Sequence, residues 1–375
     1  MSGEGEHRKI RVAVVFGGRS SEHAVSCITA GSVLQAIDRD VYEVVPVGIA
    51  HDGRWVLTSG DPSQLAIQDG RLPAVDGTSG TALALPSDPA SRGLVALERG
   101  SVPRELGQVD VVLPLLHGPY GEDGTIQGLF EMAGVPYVGA GVFASAASMD
   151  KAHMKRMFSA AGLPVGAYVV IRDREWQRER KRVVDEVAEQ LGWPVFVKPA
   201  RGGSSIGISQ ARDESELEAA VAAAREHDPK IVIEAALVGR EVECGVLETL
   251  DGEAPQASLP AEISVRGEHD FYDFQAKYLD EATNVDIPAQ LAAATIVEVQ
   301  RLAVAAFEAL ACEGLARVDL FVTGDGAVVV NEINTMPGFT PTSAFPRMWA
   351  ESDLDYPSLI DHLLRTALRR STGLR

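Results

Sequence analysis

Short apolar runs alternate with helical patterns along most of this chain. The first run, IRVAVVF, leads into GGRSSEHAVSCITAGSVLQAI, which reads as a buried strand, a Gly turn and a helix. Two more runs, VYEVVPVGI (41–49) and VDVVLPLLHG (109–118), read as strands, with helical stretches between or after them. Such alternation predicts a parallel sheet. Ligands of parallel sheets sit outside the C-terminal strand ends, so Gly17-Gly18 and His117-Gly118 become candidate site positions. Residues 52–107 are rich in Gly, Pro, Ser and Asp and lack periodicity. They read as short strands or loops decorating this first domain.

Further on, TIQGLFEMAG (125–134) predicts a helix stopped at Gly, and VPYVGA a short strand. SMDKAHMKRMFSAAGLPV predicts a helix capped by Ser148 and stopped at Gly162. Then come a strand (YVVI), a charged amphipathic helix (REWQRERKRVVDEVAEQLG), a strand (WPVFVKPA) and a Gly-Ser loop (RGGSSIG). Asp213 and Glu216 have capping-box spacing at the head of the next helix. IVIEAALVG is a strand entering a turn, and EVECGVLETLDG one arm of a hairpin. After the helix IVEVQRLAVAAFEALAC, LARVDLFVTGDGAVVVNEIN predicts two strands around a Gly-Asp-Gly turn, followed by a loop and a C-terminal helix.

With 375 residues, 46% of them hydrophobic, the chain suits two or three domains. It holds no apolar run of bilayer-spanning length, and its polar N-terminus lacks a signal-peptide pattern. The widely spaced Cys27, Cys244 and Cys312 suggest buried small hydrophobes rather than disulfides. These features point to the cytoplasm and away from a membrane. A formal charge of −19 without a basic patch argues against nucleic acid. Lysine is scarce: of 34 Lys plus Arg, 7 are Lys and 27 Arg. The few lysines (9, 151, 155, 181, 198, 230 and 277) therefore invite a reason, because a compact ammonium does a different job from a guanidinium fork.

Arg317 and Asp319 stand two apart on one strand, and Glu332 and Asn334 two apart on its partner, so one face of the hairpin can gather all four. Hard oxygen ligands of this kind suit Mg²⁺ held together with phosphate, and the absence of His and Cys argues against zinc. A strand-end salt bridge would use the same residues. In FVKPARGGSSIG, Lys198 ends a strand before Gly202-Gly203-Ser204-Ser205, a loop able to turn N–H groups onto a phosphate. It is neither a GxxxxGK[ST] nor a GxGxxG loop, and a flexible connection is the alternative. Glu234 and Glu241, with Leu237 between them, offer carboxylates for a nucleoside, or a solvated acidic loop. YDFQAKYLDEATN (272–284) has the make-up of a closing loop. Glu22, at a helix start, either caps it or grips an ammonium group. His117, Glu122 and Asp123 lie in a Gly-rich loop and are equally consistent with turn chemistry.

Taken in order, GGRSSEHAVS, HGPYGEDGTIQG, SMDKAHMK, VKPARGGSSIG, IEAALVGREVE, YDFQAKY, ARVDLF and NEINTMPGFTPTS resemble the D-alanine–D-alanine ligases of the ATP-grasp superfamily, across residues 17–343. The resemblance implies an α/β chain (α+β in its C-terminal part) of three domains. These are a Rossmann-like parallel-sheet domain (1–142), a central ATP-grasp subdomain (143–235) and a C-terminal ATP-grasp subdomain (236–375) holding the metal site and a mobile loop. It implies that Lys151, Lys198, Ser204 and Ser205 meet ATP phosphates, that Glu234, Leu237 and Glu241 hold the adenosine, and that Lys277 reaches the γ-phosphate. Asp319, Glu332 and Asn334 would bind two Mg²⁺ (or Mn²⁺), and a monovalent cation is a further possibility. Glu22, His117, Asn334, Gly338 and Ser343 would bind two D-alanines. Arg317 and the Gly338 N–H would stabilise an oxyanion, while Ser204 and Tyr278 would form a hydrogen-bonded set with Glu22. The implied reaction joins two D-alanines through an acyl phosphate for peptidoglycan precursors, in a cytoplasmic homodimer. A D-alanine–D-lactate ligase of the same fold is the alternative; Tyr278 in the AKY motif favours the dipeptide.

Overall fold

The computed structural model describes residues 8–370 and 372, apart from 79, 92, 99, 100, 204, 205 and 266–282. Ser204, Ser205, Lys277 and Tyr278, all expected at the site, therefore lie outside the described residues.

Strand β1 (Ile10–Gly17) is flanked by parallel partners β2 (Tyr42–Ile49) and β7 (Val111–Pro114). Helix α1 (His23–Ala36) follows β1 directly. The sheet is wider than the parallel pattern suggests. Strands β3 (Trp55–Leu57), β4 (Thr81–Ala84), β5 (Gly93–Leu97) and β6 (Arg104–Gln108) extend it antiparallel, giving the order β6-β5-β4-β3-β2-β1-β7. The first domain is thus mixed rather than all-parallel. The links β2–β3, β4–β5 and β5–β6 are shorter than the dozen or so residues a parallel crossover needs, so these neighbours pair antiparallel. Helices α2 (Thr125–Ala133) and α3 (Val142–Met149) come next. VPYVGA contributes only a bridge from Tyr137 to Val112, because Pro136 lacks a donor and Gly139 turns the chain at φ +100.

Helix α4 (Lys151–Ala160) is capped by Asp150, not Ser148. The Asp150 carboxylate accepts from Ala152 and His153 N–H, while Ser148 sits inside α3. Gly162, just past the helix, has φ +75. The central sheet is fully antiparallel, β10-β9-β11-β8, built from β8 (Tyr168–Arg172), β9 (Val195–Pro199), β10 (Ser209–Ala211) and β11 (Lys230–Ala235). Helices α5 (Asp173–Gln190) and α6 (Glu214–Arg225) share a core with this sheet, including Trp176, Val187, Leu217 and Val221. The Asp213 cap is as expected.

The third sheet runs β15-β14-β12-β16-β17, with β13 (Gln256–Ala257) on β12. Its strands are β12 (Gly239–Leu247), β14 (Ala261–Val265), β15 (Thr283–Asp286), β16 (Leu315–Thr323) and β17 (Val328–Asn334), with α7 (Ala293–Ala309) packed on it. Helices α8 (Ala344–Ala350) and α9 (Tyr356–Arg369) return the chain to the first domain. Leu359, Leu363 and Leu364 share one core with Val12, Val14 and Val33. The Tyr42 hydroxyl donates to Asp361 at 2.8 Å. This return holds the hairpin β16–β17 against the strand ends of the first sheet.

Candidate active site

Hairpin β16–β17 carries the densest polar group, and a bulge aims it. Arg317 pairs with Asn334 and Asp319 with Glu332, but Leu320 pairs with Val330, so Asn331 has no partner in the ladder. Val328 and Val330 face the core. Strict alternation from Val330 would bury Glu332 and Asn334 and push Ile333 outward. The extra residue resets the phase: Ile333 is buried and both polar side chains turn to the cleft. There Arg317 clasps Asp319 with Nε (2.7 Å) and Nη2 (2.8 Å) and reaches Glu243 at 3.3 Å. The Asn334 amide donates to Asp319 at 3.1 Å.

Lysines from α4 and β9 close over this face. Lys151 Nζ lies 2.8 Å from Glu332 Oε2. Burial lowers its pKa, but the carboxylates of Glu332, Glu234 and Asp319 together outweigh burial and raise it overall. Glu234 bridges two cations, Lys198 at 2.7 Å and Lys155 at 3.2 Å. Burial alone would raise its pKa; the lysines bring it down to about 2, so it is ionised at neutral pH. Lys155 is 2% exposed and donates to the Asn331 carbonyl at 3.3 Å, satisfying the bulge backbone. The sequence reading gave Lys155 no role; the scarcity of lysine was the available signal.

The phosphate-loop candidate shares a base with Lys151. The Lys151 N–H donates to the Ala200 carbonyl at 2.8 Å. Asp228, fully buried, holds the Arg201 guanidinium at 2.8 and 2.9 Å and accepts from the backbone N–H of Arg201 and Lys230, each at 2.9 Å. Lys230 in turn pairs with the α4 cap Asp150.

From the first domain come Glu22 and His117. Glu22 occupies the cap position of α1 but makes no side-chain cap bond. Its carboxylate turns inward: a Cβ at Gly118 would lie 2.8 Å from Glu22 Oε2, and one at Gly203 3.1 Å away. The acid therefore sits where the first sheet's strand end meets the Gly-rich loop, and both glycines make room for it. His117 is buried, and its Nδ1–H donates to the Met336 carbonyl at 3.1 Å. Its Nε2 has no hydrogen-bond partner among the described residues. Burial lowers the His117 pKa, which favours the neutral ring. Glu122 accepts from Gly118 N–H at 2.7 Å and Met336 N–H at 3.1 Å. Burial and the nearby Glu22 push it up to about 8. Ser343 Oγ is 2.8 Å from Thr340 Oγ1 and would be 3.2 Å from a Cβ at Gly338, so Ser343 packs directly beside Gly338.

Two cavities follow from this layout. A cleft of about 290 Å³ between the central and C-terminal sheets is lined by Phe196, Lys198, Glu234, Leu237, Glu241 and Phe321. A smaller one of about 80 Å³ is lined by Glu122, Lys151, Gly203, Glu332 and Asn334. Glu332 lines both, so it stands at their junction. The structure thus gathers Lys151, Lys198, Glu234, Arg317, Asp319, Glu332 and Asn334 along one face. It brings Glu22 and His117 to its edge and places Leu237 and Glu241 along the larger cleft.

The family described as "D-ala D-ala ligase N-terminus" matches residues 11–140, and "D-ala D-ala ligase C-terminus" matches residues 157–365. A D-alanine--D-alanine ligase of Streptomyces griseus is 58% identical over 100% of this chain and 96% of its own length. The fold is similar to that of the VanG D-Ala:D-Ser ligase from Enterococcus faecalis, with a TM-score of 0.83 at 32% identity over 96% of this chain and 100% of that one. The D-alanine-D-alanine ligase from Coxiella burnetii superposes with a TM-score of 0.80 at 32% identity, over 96% of this chain and 94% of that one.

Proposed function

The chain belongs to the D-alanine–D-alanine ligase family, and we propose the following division of labour among its residues. The family's reaction joins two D-alanines at the expense of ATP, for peptidoglycan synthesis, on the ATP-grasp fold. The observation that carries the assignment is the convergence of the bulged hairpin, the lysines and the Glu22–His117 strand end on one junction.

ATP fills the larger cleft. Leu237 and Glu241 flank the adenosine, with Glu234 beside them locking Lys155 and Lys198 in place. Lys151, Lys198 and the Gly202–Ser205 loop face the phosphates, with Lys277 reaching the γ-phosphate. The donor set for a metal is Asp319, Glu332 and Asn334. Among the described residues no cluster of three or more His, Cys, Asp or Glu offers a closed protein cage. Two carboxylates and an amide on one side of a cleft fit Mg²⁺ or Mn²⁺, which take the rest of their shell from phosphate and water. Such ions, when bound, neutralise phosphate charge.

Glu22 anchors the ammonium of the first D-alanine, with His117 beside it. A carboxylate oxygen of this substrate attacks the γ-phosphorus, ADP leaves, and an acyl phosphate remains. This step depends on positioning and on cations that offset the repulsion of two anions. Ser343 and the Gly338 backbone hold the carboxylate of the second D-alanine. Its neutral amine attacks the acyl carbonyl. Arg317 and the Gly338 N–H stabilise the oxyanion. Phosphate departs, and the new amide nitrogen gives up its extra proton. Tyr278 and Ser204 with Glu22 link the closing loop to this centre, which keeps water from the acyl phosphate. A cytoplasmic homodimer completes the reading, on the strength of the family resemblance. Among the described residues no helix is long and apolar enough to cross a membrane.

The test is phosphate release from ATP with Mg²⁺, alone and with D-alanine, L-alanine, or D-alanine plus D-lactate or D-serine. Turnover needing only D-alanine, with dipeptide as the main product in every mixture, is the expected result. A depsipeptide or a D-serine dipeptide as the preferred product would overturn the substrate assignment.

A further inference from the structure

We propose that Glu122 is the positioning residue that holds the two substrate-binding loops in register. The inference rests on the site assignment above. Its two carboxylate oxygens serve different domains. Oε2 accepts from the N–H of Gly118, next to His117 in the first domain. Oε1 accepts from the N–H of Met336, in the loop after β17 that runs on to Gly338 and Ser343. The other side of the Met336 residue is held as well: its carbonyl accepts from His117 Nδ1 at 3.1 Å. Met336 is therefore gripped at both N–H and C=O by side chains of the first domain. Each grip leads back to the 117–118 turn, which also receives the Ser20 hydroxyl on the His117 carbonyl at 2.7 Å. Residues assigned to the first D-alanine (Glu22, His117) and to the second (Gly338, Ser343) are thus set relative to one another through Glu122.

The geometry explains why the residue must be Glu. A carboxyl group keeps an acceptor lone pair on each oxygen whether ionised or protonated, so it can take N–H donors from both sides. Gln keeps the length but has one acceptor oxygen; its amide N–H would face a backbone N–H. Asp keeps both acceptors but is one methylene short of spanning the two loops. Displacement of reacting groups by about 1 Å costs about 10²-fold in rate. Glu122 lines the smaller cavity but not the larger cleft assigned to the adenosine, where ATP affinity is set by other residues.

The experiment measures kinetics of the full chain and of Glu122→Gln and Glu122→Asp, varying D-alanine and ATP separately. Both variants should lose about 10²-fold in kcat/KM for D-alanine, with ATP affinity, read by nucleotide titration, within about twofold. Hydrogen exchange of the segment containing Met336 should rise in both relative to the parent chain. Activity kept in Glu122→Asp but lost in Glu122→Gln would mean that the second acceptor matters, not the span, and would overturn the proposal. So would equal loss of ATP and D-alanine affinity, or unchanged exchange at Met336. D-alanine-dependent turnover of the parent chain tests the site assignment separately, so a parent without turnover fails that assignment and not the clasp alone.

Discussion

Replacing Glu332 by Gln lowers D-alanine-dependent turnover by roughly 10³-fold while the chain stays folded. Glu332 stands at the junction of the two cavities, and its carboxylate has two duties. It neutralises Lys151 at 2.8 Å, and with Asp319 it supplies the negative oxygens that hold a divalent cation under the triphosphate. Gln has the same size but no charge, and leaves the Lys151 ammonium without its ion-pair partner in a buried place. Charge neutralisation at a phosphoryl centre is worth several kcal/mol, and each 1.36 kcal/mol is tenfold in rate. Glu234 and Asp319 also act on the Lys151 charge, and the Glu332 side chain is 23% exposed, so Gln should be tolerated by the fold. The check is kcat from phosphate release beside the melting temperature. A kcat within tenfold of the parent would remove Glu332 from the phosphate site.

Arg317→Ala lowers kcat by about 10²–10³-fold, the usual cost of losing an oxyanion donor, while KM for ATP stays within a few-fold. The side chain is set by the Asp319 fork and by Glu243, on the face that Glu332 and Asn334 share. An interaction made only when charge develops on the acyl oxygen appears in kcat and not in ATP binding. Arg317→Lys keeps the charge but not the planar fork, and should recover only part of the loss. Steady-state kinetics in both substrates decides the point. A rise in ATP KM at unchanged kcat would make Arg317 a nucleotide contact.

The pairing of Arg317 and Asp319 with Asn334 and Glu332 was legible because side chains two apart share a face and Gly-Asp-Gly makes a tight return. The bulge at Asn331 was not. Counting by twos from Val328 places Glu332 in the core, and only the observed register shows the slip that rescues it. Lys155 was hidden for a related reason: a helical lysine looks exposed until its partners, Glu234 from β11 and the Asn331 carbonyl from β17, are seen. Glu122 fits a turn acid by spacing alone, since nothing local reveals that its second oxygen meets a backbone N–H 214 residues away. The parallel core of the first sheet was readable from its apolar runs. The antiparallel extension came from a stretch with too few apolar positions to show a period. The C-terminal helix that docks on Val12, Val14 and Val33 was readable as a helix, but not as part of the first domain's core.

The most direct measurement follows oxygen. D-alanine labelled with ¹⁸O at both carboxylate oxygens is incubated with the enzyme, Mg²⁺ and ATP, and both products are weighed by mass spectrometry. An acyl phosphate hands one oxygen of the first carboxylate to phosphorus and keeps the other as the new amide carbonyl. The account predicts one ¹⁸O in each phosphate released and three in each D-alanyl-D-alanine. Unlabelled phosphate, or ATP consumed without dipeptide, would contradict it.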